Sequence, residues 1–271
     1  MNMNSLASNQ SPHHSSLSHW ARALGGKVAR RVRRKHKPRP FSEFIPLKET
    51  LELAKVAGLS VGEYLERRRL SGGQTALEQT IEGLSALGLF NNPVERVCEL
   101  GPGSGRSLEK ILTRCHPRHY EIYETSAEWR RWLVGQYPVV ARSCDGKHLA
   151  ETDSGSVDLV HAYRLFPGLP FLNIVSYFQE MARVASDGGW IVFDVMTENC
   201  FTKEHLAAWF DVSPWDWGWE PHLVARSYAI DLFAELGASL VGSFIVPLYP
   251  AYTECMAFRK GSSSPRGRGC C

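Results

Sequence analysis

From Arg96 onward, short apolar runs alternate with stretches of helical periodicity, and this alternation restricts the fold more than any other feature of the sequence. The runs are Arg96–Leu100, 120–123, 139–143, Val157–Ala162, 190–195, 238–247 and 254–259. Helical stretches at 105–115, 126–136, 171–185 and 227–236 separate most of them. A strand, a crossover helix and a further strand pair in parallel, so the pattern predicts an α/β domain whose mostly parallel sheet is covered on both faces. Only the short segment 247–252, with Pro247, Tyr249, Pro250 and Tyr252, joins the last two runs, which predicts an antiparallel pair.

Ahead of this region, 47–57, 60–70 and 74–88 read as helices, an N-terminal helical extension forming a cap over residues 41–90. The α/β domain then spans 91–260, and 261–271 reads as a disordered tail. Residues 1–40 carry nine Lys/Arg and no acid, and 259–271 carry four and no acid. Of 31 Lys/Arg and 28 Asp/Glu in all, 41–258 therefore keeps 18 basic against all 28 acidic residues. A basic arm on an acidic body has three readings: a solvated tail, a peripheral contact with an anionic membrane or nucleic acid, or a transit peptide. No run approaches the roughly 18 apolar residues of a membrane span, so a cytoplasmic protein is expected. The seven cysteines form no CxxC pair, so neither a disulfide framework nor a zinc site is expected, and no metal.

The first strand ends in Cys98-Glu99-Leu100-Gly101-Pro102-Gly103-Ser104-Gly105-Arg106, and a helix opens at once. Glycines there let the turn approach a ligand and expose backbone N–H groups at the helix start. A dinucleotide fingerprint would need glycine at position 106, where Arg106 stands, and a phosphate-loop Lys-Ser/Thr is missing. Glu99, just before the glycines, would repel a pyrophosphate but suits a cationic ligand. Glu124 follows Gly105 by nineteen residues at the end of the second strand, where an acid can accept hydrogen bonds from ribose hydroxyls. Read alone it would be a solvated strand end.

The E-x-G-x-G-x-G run resembles motif I of class I S-adenosylmethionine-dependent methyltransferases. Tyr123-Glu124-Thr125, Cys144-Asp145-Gly146, Glu180-Met181-Ala182-Arg183-Val184 and Asp187-Gly188-Gly189-Trp190 resemble further motifs of that family, in its order. The resemblance implies a Rossmann-like seven-stranded sheet of order 3-2-1-4-5-7-6 and S-adenosyl-L-methionine as cofactor, released as S-adenosyl-L-homocysteine. It places Gly101, Gly103 and Gly105 along the methionine moiety, with Glu99 ordering their loop. Glu124, with Thr125, falls at the ribose, Asp145 and Gly146 at the adenine, and His161 along the methionine part. His161 read alone is equally a packed strand-end histidine.

Methyl transfer needs the nucleophile, methyl and sulfur aligned and water excluded, without an obligatory metal. The acceptor is expected beyond the carboxyl ends of the strands. Tyr163 and Arg164 follow the fourth strand there; Arg164 suits a carboxylate or phosphate, or pairs with a nearby acid. After the fifth strand, Trp209, Trp215, Trp217 and Trp219 fall within eleven residues. They read as a hydrophobic lid or as a stacking wall for a sugar or aromatic ring. His222 is the candidate general base. The expected activity is methylation of a small polar acceptor, at an oxygen of a sugar-like or natural-product substrate. The competing readings are an N- or RNA methyltransferase guided by the arm, and a binding protein of this fold without turnover. No NPPY-type motif follows the fourth strand, which counts against amino groups of bases.

Overall fold

The computed structural model describes residues 46–67, 74–211, 222–248 and 251–262. All of them fall in the unit Pro40–Cys271. The arm at 1–40 and the tail beyond 262 lie outside the described residues.

Among the described residues three helices come first: α1 (Leu47–Ala57), α2 (Val61–Arg67) and α3 (Ala76–Ala86). Gly58, in the left-handed region at φ 65°, closes α1. At the start of α3 the Thr75 hydroxyl accepts the Glu78 N–H while the Glu78 carboxylate accepts the Thr75 N–H, a reciprocal cap.

The alternating region follows as β1 (Arg96–Leu100), α4 (Arg106–Cys115), β2 (His119–Tyr123), α5 (Ala127–Gln136) and β3 (Val140–Ala141). Next come β4 (Val157–Ala162), α6 (Phe171–Val184), β5 (Ala185–Val195), α7 (Lys203–Asp211), α8 (Arg226–Glu235), β6 (Ala238–Leu248) and β7 (Ala251–Lys260). The seven strands form one sheet in the order β3-β2-β1-β4-β5-β7-β6, as the resemblance implied. β1 to β5 run parallel, and β7 lies antiparallel between β5 and β6.

Most inward-facing residues of both sheet faces are apolar, which is why the strands read as nearly continuous hydrophobic runs. On one face Cys98, Leu100, Val160 and Ala162 meet α6 and α8, where Phe166, Phe178, Phe193, Phe233 and Phe258 form one aromatic cluster. On the other, Val97, Tyr120, Ile122 and Leu159 meet α3, α4 and α5 through Leu84, Leu108, Ile111 and Leu133. Burying one such side chain contributes roughly 1.5–3 kcal/mol.

Two segments differ from expectation. The 247–252 link is not a loop: Pro247 pairs with Tyr252 and Leu248 with Ala251, so the hairpin ladder runs almost to its tip. Pro247 is tolerated because β6 is the sheet edge, where a missing N–H removes no ladder bond. The stretch after the fifth strand, read as a loop, contains α7.

α3 packs closely on β6. A Cβ added at Gly83 would run into the Phe244 ring. Gly83→Ala is therefore expected to destabilise the fold by roughly 1–3 kcal/mol through overpacking, even though alanine favours helix. A denaturant midpoint equal to or above the parent's would disprove this packing.

Candidate functional site

The glycine loop joins β1 to α4, and all three glycines lie in the left-handed region, at φ 59° for Gly101, 54° for Gly103 and 75° for Gly105. The Gly101 N–H donates to the Tyr123 carbonyl at 2.8 Å and the Gly105 N–H to the Pro102 carbonyl at 2.9 Å. The protein itself fills the space beside two of them. A Cβ on Gly101 would lie 2.8 Å from Leu165 Cδ1, and one on Gly105 would lie 2.6 Å from Leu133 Cδ2. Gly103 differs, because its nearest atom would be the Gly101 carbonyl oxygen at 3.9 Å. The middle glycine thus borders open space.

Glu124 stands at the carboxyl end of β2, 3 % exposed. Its Oε2 accepts the Gly103 N–H at 2.8 Å and its Oε1 accepts the Ser126 N–H at 2.7 Å. Burial nevertheless raises its pKa, outweighing those hydrogen bonds. The carboxylate links the glycine loop to the start of α5, with the Thr125 N–H also bonded to it, and its roughly four lone-pair positions are not all taken. Thr125 follows it, exposed. Asp145 is also exposed. It accepts the backbone N–H groups of Lys147 and His148 at 2.8 Å and contacts His148 Nδ1 at 2.6 Å, which with those backbone bonds lowers its pKa to about 2. Gly146, at φ 81°, has nothing within 4 Å of an added Cβ.

Glu99 and His161 are brought together by strand register, since Glu99 pairs with His161 across β1 and β4. Between them stands a residue that sequence reasoning missed. The Tyr120 hydroxyl donates to Glu99 Oε2 at 2.7 Å and lies 2.9 Å from His161 Nε2. Burial raises the Glu99 pKa to about 8 and lowers that of His161 to about 3. The one signal for Tyr120 in the sequence was a hydroxyl at an inward position of β2.

At the ends of β4 and β5, Tyr163 and Arg164 meet another missed residue, Asp194. Arg164 is a non-glycine residue at φ 59°, and its N–H donates to Asp194 Oδ1 at 2.6 Å. Its guanidinium lies 3.9 Å from Asp194 Oδ2 and donates to the Pro247 carbonyl. Of the two roles the sequence left open for Arg164, the structure shows the pairing with an acid. Burial raises the Asp194 pKa, against the pull of Arg164.

The Tyr163 ring lies between two guanidinium groups, those of Arg106 and Arg164, each 5.4 Å from its centroid. Arg106 is paired with Glu66 of α2 at 2.7 Å, so the two cations here are each matched by an acid. The Tyr163 hydroxyl is buried and has no hydrogen-bond partner among the described residues. A cavity of about 20 Å³, room for one water, is bordered by His161, Tyr163 and Asp194.

His222 is half-buried, and its N–H donates to the Pro167 carbonyl, which holds it beside the turn after β4. Trp215, Trp217 and Trp219 lie outside the described residues, as does the side chain of Trp209. Among the described residues no three side chains are grouped to hold a metal ion, and no helix is long and apolar enough to cross a membrane.

The family described as "Methyltransferase domain" matches residues 66–231, more than half of the chain. No curated protein matches significantly. Several solved structures share the fold at low identity. Magnesium protoporphyrin IX methyltransferase from Synechocystis, with bound S-adenosylhomocysteine, is 14% identical, with TM-score 0.52, covering 72% of this chain and 92% of its own. An O-methyltransferase family protein from Burkholderia thailandensis is 15% identical, with TM-score 0.51, covering 80% and 68%. A Galdieria sulphuraria protein provisionally assigned as a sarcosine dimethylglycine methyltransferase is 12% identical, with TM-score 0.51, covering 69% and 85%. With the matched domain and the sheet order together, the chain belongs to the class I S-adenosylmethionine-dependent methyltransferase family.

Proposed function

We propose that the protein transfers the methyl group of S-adenosylmethionine to an oxygen of a small, polar, sugar-like acceptor. The observation that carries the cofactor part is Gly103. It is the one loop glycine with open space beside it, and its N–H is held by the Glu124 carboxylate. A second feature fits the same ligand: Glu99 Oε1 is buried without a hydrogen-bond partner among the described residues.

Gly101, Gly103 and Gly105 line the methionine part, and Glu99 orders their loop from below. Glu124 accepts ribose hydroxyls on its remaining lone pairs, next to Thr125. Asp145 and Gly146 border the adenine. Bound S-adenosylmethionine supplies a methyl group already activated by its sulfonium, so the protein's work is positioning and exclusion of water.

For the acceptor, the paired charges around Tyr163 support a neutral molecule over a polyanion, because the pairs Arg106–Glu66 and Arg164–Asp194 cancel. Tyr163 offers an unpartnered hydroxyl, and Trp215, Trp217 and Trp219 a stacking wall. A hydroxyl nucleophile benefits from a base, a role we give to His222.

Calorimetry tests the cofactor reading. S-adenosylhomocysteine should bind in the micromolar range roughly usual for enzyme ligands, and NAD should not. Glu124→Gln should weaken that binding by roughly 1–3 kcal/mol, the range for a hydrogen bond to a charged group. Binding of NAD and not of S-adenosylhomocysteine would sink the assignment. Transfer to amines with none to hydroxyl acceptors would sink the oxygen-acceptor part alone.

A further inference from the structure

Glu99 ends a hydrogen-bonded chain whose other members stand outside the motif. Tyr120 and Glu99 face the same side of the sheet from adjacent strands, and His161 flanks Glu99 from β4. All three side chains are buried. The Tyr120 proton is committed to Glu99 Oε2, so the imidazole N–H that completes the chain is the one on Nε2, pointing at the Tyr120 oxygen. The chain therefore runs from His161 to Tyr120 to Glu99, and Glu99 lies two residues ahead of Gly101. Packing alone does not require the phenol, because phenylalanine would fill the same space. A buried hydroxyl with two good hydrogen bonds specifies an orientation instead.

We propose that Tyr120 and His161 are positioning residues for cofactor binding: they hold Glu99 in one orientation beneath the glycine loop and so set the affinity for the amino-acid end of the cofactor. This rests on the cofactor reading above. The groups facing Glu99 are Tyr120 from β2, Glu124 from the end of β2, Ser107 from α4 and His161 from β4. Glu124 opposes ionisation of Glu99, whereas the Tyr120 and Ser107 hydroxyls favour it. His161 stays neutral, because burial holds its pKa near 3. Affinity for a ligand bearing an ammonium group should then rise with pH as Glu99 ionises, around its pKa of about 8. Removing the Tyr120 hydroxyl should move that rise to higher pH.

The test is calorimetric titration of the full chain with S-adenosylhomocysteine between about pH 5.5 and 7.5, below the roughly 7.7–8.0 at which an α-amino group loses its proton and where the ionised fraction of Glu99 climbs toward its pKa of about 8. The variants are Tyr120→Phe, Glu99→Gln, their combination, His161→Gln and His161→Leu. Tyr120→Phe should weaken binding about tenfold near neutral pH and shift the profile upward. The double variant should bind no more weakly than Glu99→Gln, because the hydroxyl acts only through Glu99. His161→Gln keeps a donor and should lose clearly less affinity than His161→Leu, which should follow Tyr120→Phe. Parent-like affinity of Tyr120→Phe at every pH, or additive losses in the double variant, overturns the proposal. Should Tyr120→Phe fail to fold, the two His161 variants decide, and equal affinities overturn it. A parent that binds no S-adenosylhomocysteine brings down the cofactor reading and this inference together; a parent that binds, with indifferent variants, brings down the inference alone.

Discussion

Gly103→Val should remove S-adenosylhomocysteine binding, at least about a hundredfold or about 2.7 kcal/mol, and leave the fold standing. The space beside Gly103 is open to an added Cβ, so a valine there intrudes first on the ligand we place in it. Its cost to the fold is backbone strain alone, about 1–2 kcal/mol for an L-residue in the left-handed region, or a melting temperature lower by about 2–8 °C. Gly105→Val is the contrast. Its side chain would meet Leu133 and Tyr137 inside the core between α4 and α5, so folding itself should suffer. Calorimetry and thermal melts of both variants separate the two roles. A Gly103→Val protein that binds like the parent would show that the ligand passes elsewhere. One that unfolds like Gly105→Val would show that Gly103 serves packing.

Asp194→Ala should cost the fold roughly 3–5 kcal/mol, because it strands the buried Arg164 guanidinium without its acid and leaves the Arg164 N–H without its acceptor. Arg164 also holds a left-handed backbone at φ 59°, so the bond from its N–H to Asp194 Oδ1 fixes a conformation that the residue would not adopt on its own. Adding Arg164→Met to Asp194→Ala should recover much of the loss, since an apolar pair removes the stranded charge. Urea denaturation of the three proteins reads the effect. A single variant as stable as the parent would mean that the pair contributes nothing to the fold.

Much of the scaffold was legible because its signals are local. β1 and β4 fall where their apolar runs ended, since parallel strands covered on both faces are mostly apolar. The glycine loop was legible because three left-handed positions within five residues leave little choice but glycine. β3 was over-read as 139–143. Only Val140 and Ala141 pair, at the edge of the sheet, where an apolar run has one neighbour to satisfy it. The helix α7 was not legible because its nine residues, KEHLAAWFD, carry no sustained apolar period.

The partners of the site residues were not legible. Nothing in the sequence ties Tyr120 to His161, forty-one residues later, or Arg164 to Asp194, thirty residues later. Those pairs exist because β1, β2 and β4 lie side by side in one register, and because β5 is next to β4, so that residues far apart in the chain stand one strand apart in space. His161 shows the consequence. Its position at the end of a strand was plain, but whether its ring faces a ligand or another side chain depends on what the nearby strands present, and β2, on the far side of β1, presents Tyr120. By itself the sequence determined the order of elements, the sheet-forming runs and the loop that must approach a ligand, because periodicity and backbone preference act within a few residues. Only the tertiary structure decided which buried polar groups meet, because strand register, not sequence separation, sets hydrogen-bond distances.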